Sequence, residues 1–299
     1  MAGIAAALCG RGGVLLLTRP PRRPLSTGGG TFYHWPMLGT DRLMAAADLL
    51  WHCWVEGRCI DALPGELRPA TRREGYAIQA CVEQRSSQPL FGWKIAATSA
   101  AGQAHIGVDG PLAGRLLTER VLTSGAELSL AGNRMRVAEP EFVFRVGHTL
   151  APRGAPWTLA EVLEAVAGLH VAIEIPDSRF ADFRTAGAPQ LIADNACAHQ
   201  FVLGPAAPDT WRGLDLAAHP VRARVGAGAW QAGSGANVLG DPRLALTWLA
   251  NELSGLGVPL RAGQIVTSGT CMTPLTIAAG DQVEADFGCL GSVSLRCAA

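Results

Sequence analysis

Three glutamates and one lysine are the residues of this sequence best placed to do chemistry. In the run Val137-Ala138-Glu139-Pro140-Glu141-Phe142-Val143-Phe144, the two acids alternate with Pro140, Phe142 and Phe144. Residues i and i+2 of a β-strand share a face, so Glu139 and Glu141 project together while the alternate set faces a core. Glu174 stands in Val171-Ala172-Ile173-Glu174-Ile175, an apolar run in which an unpartnered carboxylate is costly. Three such carboxylates suit a hard divalent cation and leave coordination positions open for substrate oxygens. The same spacing also fits a solvated strand face at Glu139 and Glu141 with a strand end at Glu174. Lys94 is the only lysine among 25 basic residues. A compact, movable ammonium is a charge that arginine does not replace.

The chain that must place these groups has 299 residues, 48% of them apolar, which is ample for a full hydrophobic core. Twenty-five basic residues balance 25 acidic ones, so there is no basic footprint for nucleic acid or anionic lipid. Apolar-rich stretches such as Val14 to Leu17 and Leu43 to Leu50 fall short of the roughly 20 residues that span a bilayer. No nucleic-acid or membrane partner is expected. The eight cysteines show no C-x-x-C pair and no His/Cys spacing of zinc sites, and reduced thiols are expected. The glycines from Gly226 to Gly235 match neither G-x-G-x-x-G nor the P-loop and imply no nucleotide.

Residues 1–40 hold no acid, carry Arg11, Arg19, Arg22 and Arg23, and end in a Gly/Ser/Thr run. They read as a disordered leader, in a cytoplasmic protein, or as a mitochondrial transit peptide, in which case the destination is the matrix. A helix is expected over 41–56, where Leu43, Ala46, Leu50 and Trp54 repeat at helical spacing and Gly57 marks the stop. A second starts at Thr71, whose spacing to Glu74 is a capping box, and a third opens at the box Thr158 to Glu161 and should end at Gly168. A fourth has Asp241 as N-cap and Pro242 in its first turn, and runs to about Gly255. Gln264 to Ser268, Gln282 to Phe287 and Ser292 to Arg296 read as strands. The pattern is α+β: a helical N-terminal lobe leads into a larger mixed-strand domain.

Ordered blocks along the chain carry a family resemblance. Gly92-Trp93-Lys94-Ile95, Thr98-Ser99 and Gly107-Val108-Asp109-Gly110-Pro111 come first. Glu139-x-Glu141, Ala172-Ile173-Glu174-Ile175-Pro176-Asp177-Ser178-Arg179 and Ala193-Asp194-Asn195 follow. Leu239-Gly240-Asp241-Pro242, Ala262-Gly263-Gln264-Ile265-Val266, Ser268-Gly269 and Gly288-Cys289-Leu290-Gly291-Ser292-Val293 complete the series. Together the blocks resemble the 2-keto-4-pentenoate hydratase/4-oxalocrotonate decarboxylase family, within the fumarylacetoacetate hydrolase superfamily.

That resemblance implies a mixed β-sandwich roll of the fumarylacetoacetate hydrolase type over 111–299, preceded by a smaller α/β lobe over 41–110, and a homo-oligomer. It implies that Glu139, Glu141 and Glu174 hold Mg²⁺ or Mn²⁺. It also gives Lys94 and Asp109 acid/base roles, and Ser178 and Asn195 a part in orienting substrate or water. The substrate implied is a small 2-oxo or 2-hydroxy-dienoic acid, whose enolate charge such a cation stabilises. The expected reaction is addition of water to 2-hydroxypenta-2,4-dienoate, giving 4-hydroxy-2-oxopentanoate in aromatic catabolism.

Alternatives stay open on these residues. A decarboxylase of 2-oxohex-3-enedioate needs groups for a second carboxylate, for which Arg179 and Arg184 are candidates. An acylpyruvate hydrolase needs a His/Glu pair on a short helix, and His52 with Glu56 reads instead as a solvated helix face. A metal-binding protein without turnover is the non-enzymatic reading. Asp109, Asp177-Ser178 and Asp194-Asn195 also fit ordinary turn chemistry, and His199 fits a satisfied core histidine. The family usually continues Ser-Gly with Ala-Leu-Gly-Pro, whereas Thr270-Cys271-Met272-Thr273-Pro274 stands here, at the expected distal end of the substrate.

Overall fold

A computed structural model describes residues 38–299; the leader expected over 1–40 lies almost wholly outside the described residues. Six α-helices follow in chain order: α1 (Thr40–Glu56), α2 (Arg72–Glu83), α3 (Ala100–Ile106), α4 (Leu159–Glu164), α5 (Ala188–Ala193) and α6 (Pro242–Gly255). The strands are β1 (Leu90–Ala96), β2 (Leu112–Leu117), β3 (Val121–Thr123), β4 (Glu127–Leu128), β5 (Val137–Val146), β6 (Val166–Ile175) and β7 (Gln200–Ala206). They continue with β8 (Pro220–Val225), β9 (Gln231–Ser234), β10 (Ile265–Thr270), β11 (Leu275–Thr276), β12 (Gln282–Asp286) and β13 (Ser292–Cys297).

The helix signals act locally and hold. Gly57 closes α1 in a left-handed conformation (φ 63°), as the glycine stop predicts. Both capping boxes form, Thr71 with Glu74 and Thr158 with Glu161. The Asp241 side chain accepts from the Arg243 amide to start α6, with Pro242 in the first turn. One expectation fails: the helix expected to end at Gly168 stops at Glu164, and β6 begins at Val166. The physical reason is pairing. The apolar run from Val166 lies antiparallel on β5, with Val146 opposite Val166 and Phe144 opposite Leu169, and Gly147 and His148 both donate to the Ala165 carbonyl.

Eight strands form one sheet in the order β2-β1-β10-β5-β6-β7-β3, with β11 on the end of β5; five more form a second sheet in the order β4-β13-β12-β8-β9. The architecture is mixed α/β. The boundary expected at residue 110 falls between β1 and β2, which are antiparallel partners in the large sheet. The sheets meet through the core. Phe142 of β5 packs edge-on against Phe287 at 5.2 Å, and both are fully buried. Truncating either to alanine removes a contact worth about 3–5 kcal/mol. Gly204 of β7 admits the close approach, since a Cβ there would lie 2.7 Å from the Val171 carbonyl oxygen and 3.0 Å from the Val293 side chain. Behind the large sheet Phe142 and Phe144 join the main core, whereas Val143, Ala172 and Phe201 line the opposite face. No helix among the described residues is long and apolar enough to cross a membrane.

Candidate metal centre and active site

That opposite face carries the acids. Antiparallel pairing of β5 with β6 sets Glu139 directly across from Glu174, and Glu141 across from Ala172. Carboxylate oxygens of the three glutamates come within 4.8 Å of one another. Glu141 and Glu174 are buried, while Glu139 is partly open. The solvated-face reading of Glu141 therefore does not describe this geometry.

Glu141 is held from β10. Its Oε2 accepts from the Gly269 amide at 2.8 Å and from the Thr267 hydroxyl. The pairing of β10 with β5 is irregular between Thr267 and Thr270, and Gly269 sits there at φ 96°, so its N–H turns toward the carboxylate. A Cβ on Gly269 would overlap the Thr98 side chain. Thr267 and Gly269 were not picked out as functional from sequence alone. The sequence signal nearest to them is the Ser268-Gly269 block, which contains Gly269 and directly follows Thr267.

Lys94, on β1, is 2% exposed and reaches across the face. Its Nζ lies 3.2 Å from Glu174 Oε1 and donates to the Ala196 carbonyl at 2.9 Å. Its stem passes over Gly114 of β2, where a Cβ would overlap the Asn195 carbonyl oxygen and come 2.9 Å from Lys94 Cδ. The Ala196 carbonyl is presented by an unusual turn. Asn195, Ala196 and Cys197 are all left-handed, at φ 56°, 50° and 61°, and none is glycine. Such conformations cost free energy and persist where the surroundings enforce them. Here Asn195 accepts from the Arg115 amide at 2.6 Å and donates to the Arg115 carbonyl at 2.8 Å. Arg179 ion-pairs with Asp194, and its guanidinium donates to the Ala198 carbonyl at 2.9 Å.

The structure thus separates the residues named from sequence. Glu139, Glu141, Glu174 and Lys94 come together. Ser178 and Asn195 do not line the cavity described below. The Ser178 hydroxyl donates to Asp194 at 2.7 Å and accepts from the Phe180 amide at 3.1 Å, so both residues shape the backbone around Lys94. Asp109 sits after α3 with its carboxylate 88% exposed beside Arg72 at 3.3 Å, outside the cavity lining. Arg184 pairs with Asp182 at 2.9 Å on the surface, and His52 and Glu56 are exposed on α1. His199 accepts from the Trp54 indole at 2.9 Å, away from the acids.

Electrostatically the cluster is unbalanced, with one ammonium against three carboxylates. Burial, then the charge of Glu174, pushes Glu139 up to about 7. Burial and the other two acids push Glu141 well up, against Lys94 and the Thr267 hydroxyl. Burial also raises Glu174, against the pull of Lys94. For Lys94, burial favours the neutral amine, but Glu174, Glu139 and Glu141 outweigh it and hold the ammonium protonated. Oε1 of Glu141 and both oxygens of Glu174 are buried without a hydrogen-bond donor. Orphaned carboxylate oxygens with two surplus negative charges fit a hard divalent cation.

Above the cluster opens a cavity of about 1090 Å³, with Lys94 and Glu139 in its lining. Its walls include Ala97, Ala101, Phe183, Leu239 and Met272, and are largely apolar. α3, capped by the Ser99 side chain, forms part of this wall.

The sequence matches the fumarylacetoacetate (FAA) hydrolase C-terminal family over residues 116–297. The chain belongs to the fumarylacetoacetate hydrolase family. Within that family it is 33% identical to a 2-keto-4-pentenoate hydratase of Paraburkholderia xenovorans over 83% of this chain and 92% of the relative. It is 30% identical to a 4-oxalocrotonate decarboxylase of a Pseudomonas species, over 80% and 92% of the two chains. Among solved structures, a 4-oxalocrotonate decarboxylase from Pseudomonas putida complexed with magnesium and adipate superposes with a TM-score of 0.79 at 25% identity. That match covers 87% of this chain and 99% of the other. Membership accounts for the mixed α/β architecture, and a divalent metal is in keeping with the three-glutamate cluster.

Proposed function

We propose that the protein is a divalent-metal-dependent hydratase that adds water to 2-hydroxypenta-2,4-dienoate. Glu139, Glu141 and Glu174 would hold Mg²⁺ or Mn²⁺. The observation that carries this reading is the orphaned carboxylate cluster beside Lys94 under a largely apolar cavity. The bound cation supplies stabilisation of the negative charge that develops on the substrate's 2-oxygen.

The chain's own groups do the rest. The Lys94 ammonium donates to the Ala196 carbonyl and ion-pairs with Glu174 Oε1 at 3.2 Å, and it keeps a further N–H to offer the substrate's 2-oxygen. The reaction moves the 2-hydroxyl proton to C5, then adds the hydroxyl of water at C4 and its proton at C3. Lys94, an ammonium in the free site, lends a proton to the 2-oxygen as enolate charge develops there and takes it back as the carbonyl re-forms, as a positioned acid/base group. Asp109, exposed and outside the cavity, takes no part.

A second reading has one observation in its favour. Arg134 lines the cavity and offers a cation to a second carboxylate, as decarboxylation of 2-oxohex-3-enedioate requires. Of the two arginines suggested by sequence, Arg179 is buried against Asp194 and Arg184 is paired with Asp182, so neither serves this purpose. Assay of both acids with Mg²⁺, with product identification, separates the readings. Formation of 4-hydroxy-2-oxopentanoate supports the hydratase, and carbon dioxide release from the diacid alone supports the decarboxylase.

A further inference from the structure

A second cavity, of about 230 Å³, lies beside α1, away from the glutamates. Its lining includes Trp54, Arg58, Arg120, Asp177, Arg179 and His199. The Trp54 indole N–H donates to His199 Nδ1 at 2.9 Å. A ring nitrogen that accepts carries no proton, so the neutral imidazole bears its hydrogen on Nε2. Burial and the charges of Arg179 and Arg120 keep the ring neutral, pushing it down to about 3. The Nε2 atom is buried and has no partner among the described residues. A buried donor of this kind calls for an acceptor.

Most charges around the cavity are already matched. Arg58 pairs with Glu56 at 2.5 Å. Arg179 pairs with Asp194 and donates to the Asp177 and Ala198 carbonyls, each at 2.9 Å. Asp177 accepts from the amides of Arg134 and Met135 at 2.9 and 3.1 Å. Arg120 is left over. It is half-buried, its guanidinium lies over the Trp54 ring at 5.1 Å, and among the described residues no carboxylate comes within the 4.0 Å of an ion pair.

We propose that this cavity is a small-oxyanion site, taking a carboxylate or a phosphate between the Arg120 guanidinium and the His199 Nε2–H. Planar bidentate recognition of such oxygens is what a guanidinium does best, and the imidazole N–H supplies a second, oriented donor. An anion there ties the turn that ends at Arg120 to the segment whose Ala196 carbonyl holds Lys94.

The test is calorimetric titration of the full-length, Mg²⁺-loaded protein with formate and, separately, with inorganic phosphate, repeated after chelation. Binding at this cavity is saturable, persists without metal, and weakens about tenfold or more in Arg120→Gln, which loses a charged hydrogen-bond donor. The His199 Nε2–H resonance, assigned by comparison with His199→Gln, shifts on saturation of the wild-type chain. Formate binding alone assigns a carboxylate ligand, and phosphate binding alone assigns a phosphate. Absence of saturable binding in both titrations overturns the proposal. So does binding that leaves the His199 resonance in place, a readout that needs no folded Arg120 variant.

Discussion

Glu139 and Glu174 face each other directly across the β5–β6 ladder, as Cα partners on antiparallel strands. Like charges opposite one another are destabilising in an ordinary sheet, and here both side chains lie on the buried side. The relationship calls for compensating positive charge, which a divalent cation held by the three glutamates would supply.

Glu141→Gln keeps the shape of the side chain and its acceptor oxygen toward Thr267 and Gly269, but removes one charge. Mg²⁺ affinity should fall about 10–100-fold, with turnover falling in step at subsaturating metal. Calorimetric Mg²⁺ titration alongside kinetics checks this. Unchanged metal affinity in a folded variant removes Glu141 from the ligand set.

Metal-free stability should depend on pH in a defined sense. Glu139 binds its proton more tightly in the folded chain, at about 7 against the ordinary 4.5, and Glu141 and Glu174 shift in the same direction. Between those values the folded chain holds more protons than the unfolded one, so stability falls as pH rises through that window. Added Mg²⁺ should reverse the loss, with a stabilisation that grows over the same range. Thermal melts at pH 5, 6 and 7, with and without Mg²⁺, read this out, and a metal effect independent of pH contradicts it.

Lys94→Arg retains the charge but not its compactness. The stem runs over Gly114 and the ammonium sits between Glu174 and the Ala196 carbonyl, an arrangement that a broader planar guanidinium does not reproduce. A folded, metal-binding protein with turnover reduced about 10²–10⁴-fold is expected. Steady-state kinetics with a parallel Mg²⁺ titration decide it, and wild-type rates exclude Lys94 from proton transfer.

Gly114→Ala tests the same placement from below. Its Cβ meets the Asn195 carbonyl and the Lys94 stem, so the side chain must shift at a cost of about 1–3 kcal/mol in stability. The catalytic rate should fall while the metal dissociation constant holds. Equal loss of both points to general disruption of the sheet.

Asp109→Asn should leave the turnover rate within about twofold of wild type, as expected for an exposed ion-pair partner outside the cavity. A hundredfold loss in the same assay returns Asp109 to the reaction.

What could be read from sequence and what could not divides along the range of the interaction. Thr71 with Glu74, Thr158 with Glu161, and Asp241 with Pro242 act over three residues or fewer, and each starts the helix expected of it. The shared face of Glu139 and Glu141 follows from the strand period alone. That Glu174 stands opposite Glu139 is a matter of register, which no local pattern states. The helix expected through Gly168 failed for the same reason, because pairing with β5 claims the chain from Val166 onward. Ser178 and Asn195 stand in the right blocks, but their short polar side chains bond to nearby protein groups. The roles of Thr267 and Gly269 exist only once β10 lies beside β5.

The most direct test of the account is turnover of 2-hydroxypenta-2,4-dienoate by the purified protein, followed by loss of dienol ultraviolet absorbance with Mg²⁺ and then with chelator. The account predicts Mg²⁺-dependent loss of absorbance yielding 4-hydroxy-2-oxopentanoate, abolished by chelation and restored by the metal. A folded, Mg²⁺-loaded protein that leaves the dienoate untouched contradicts it.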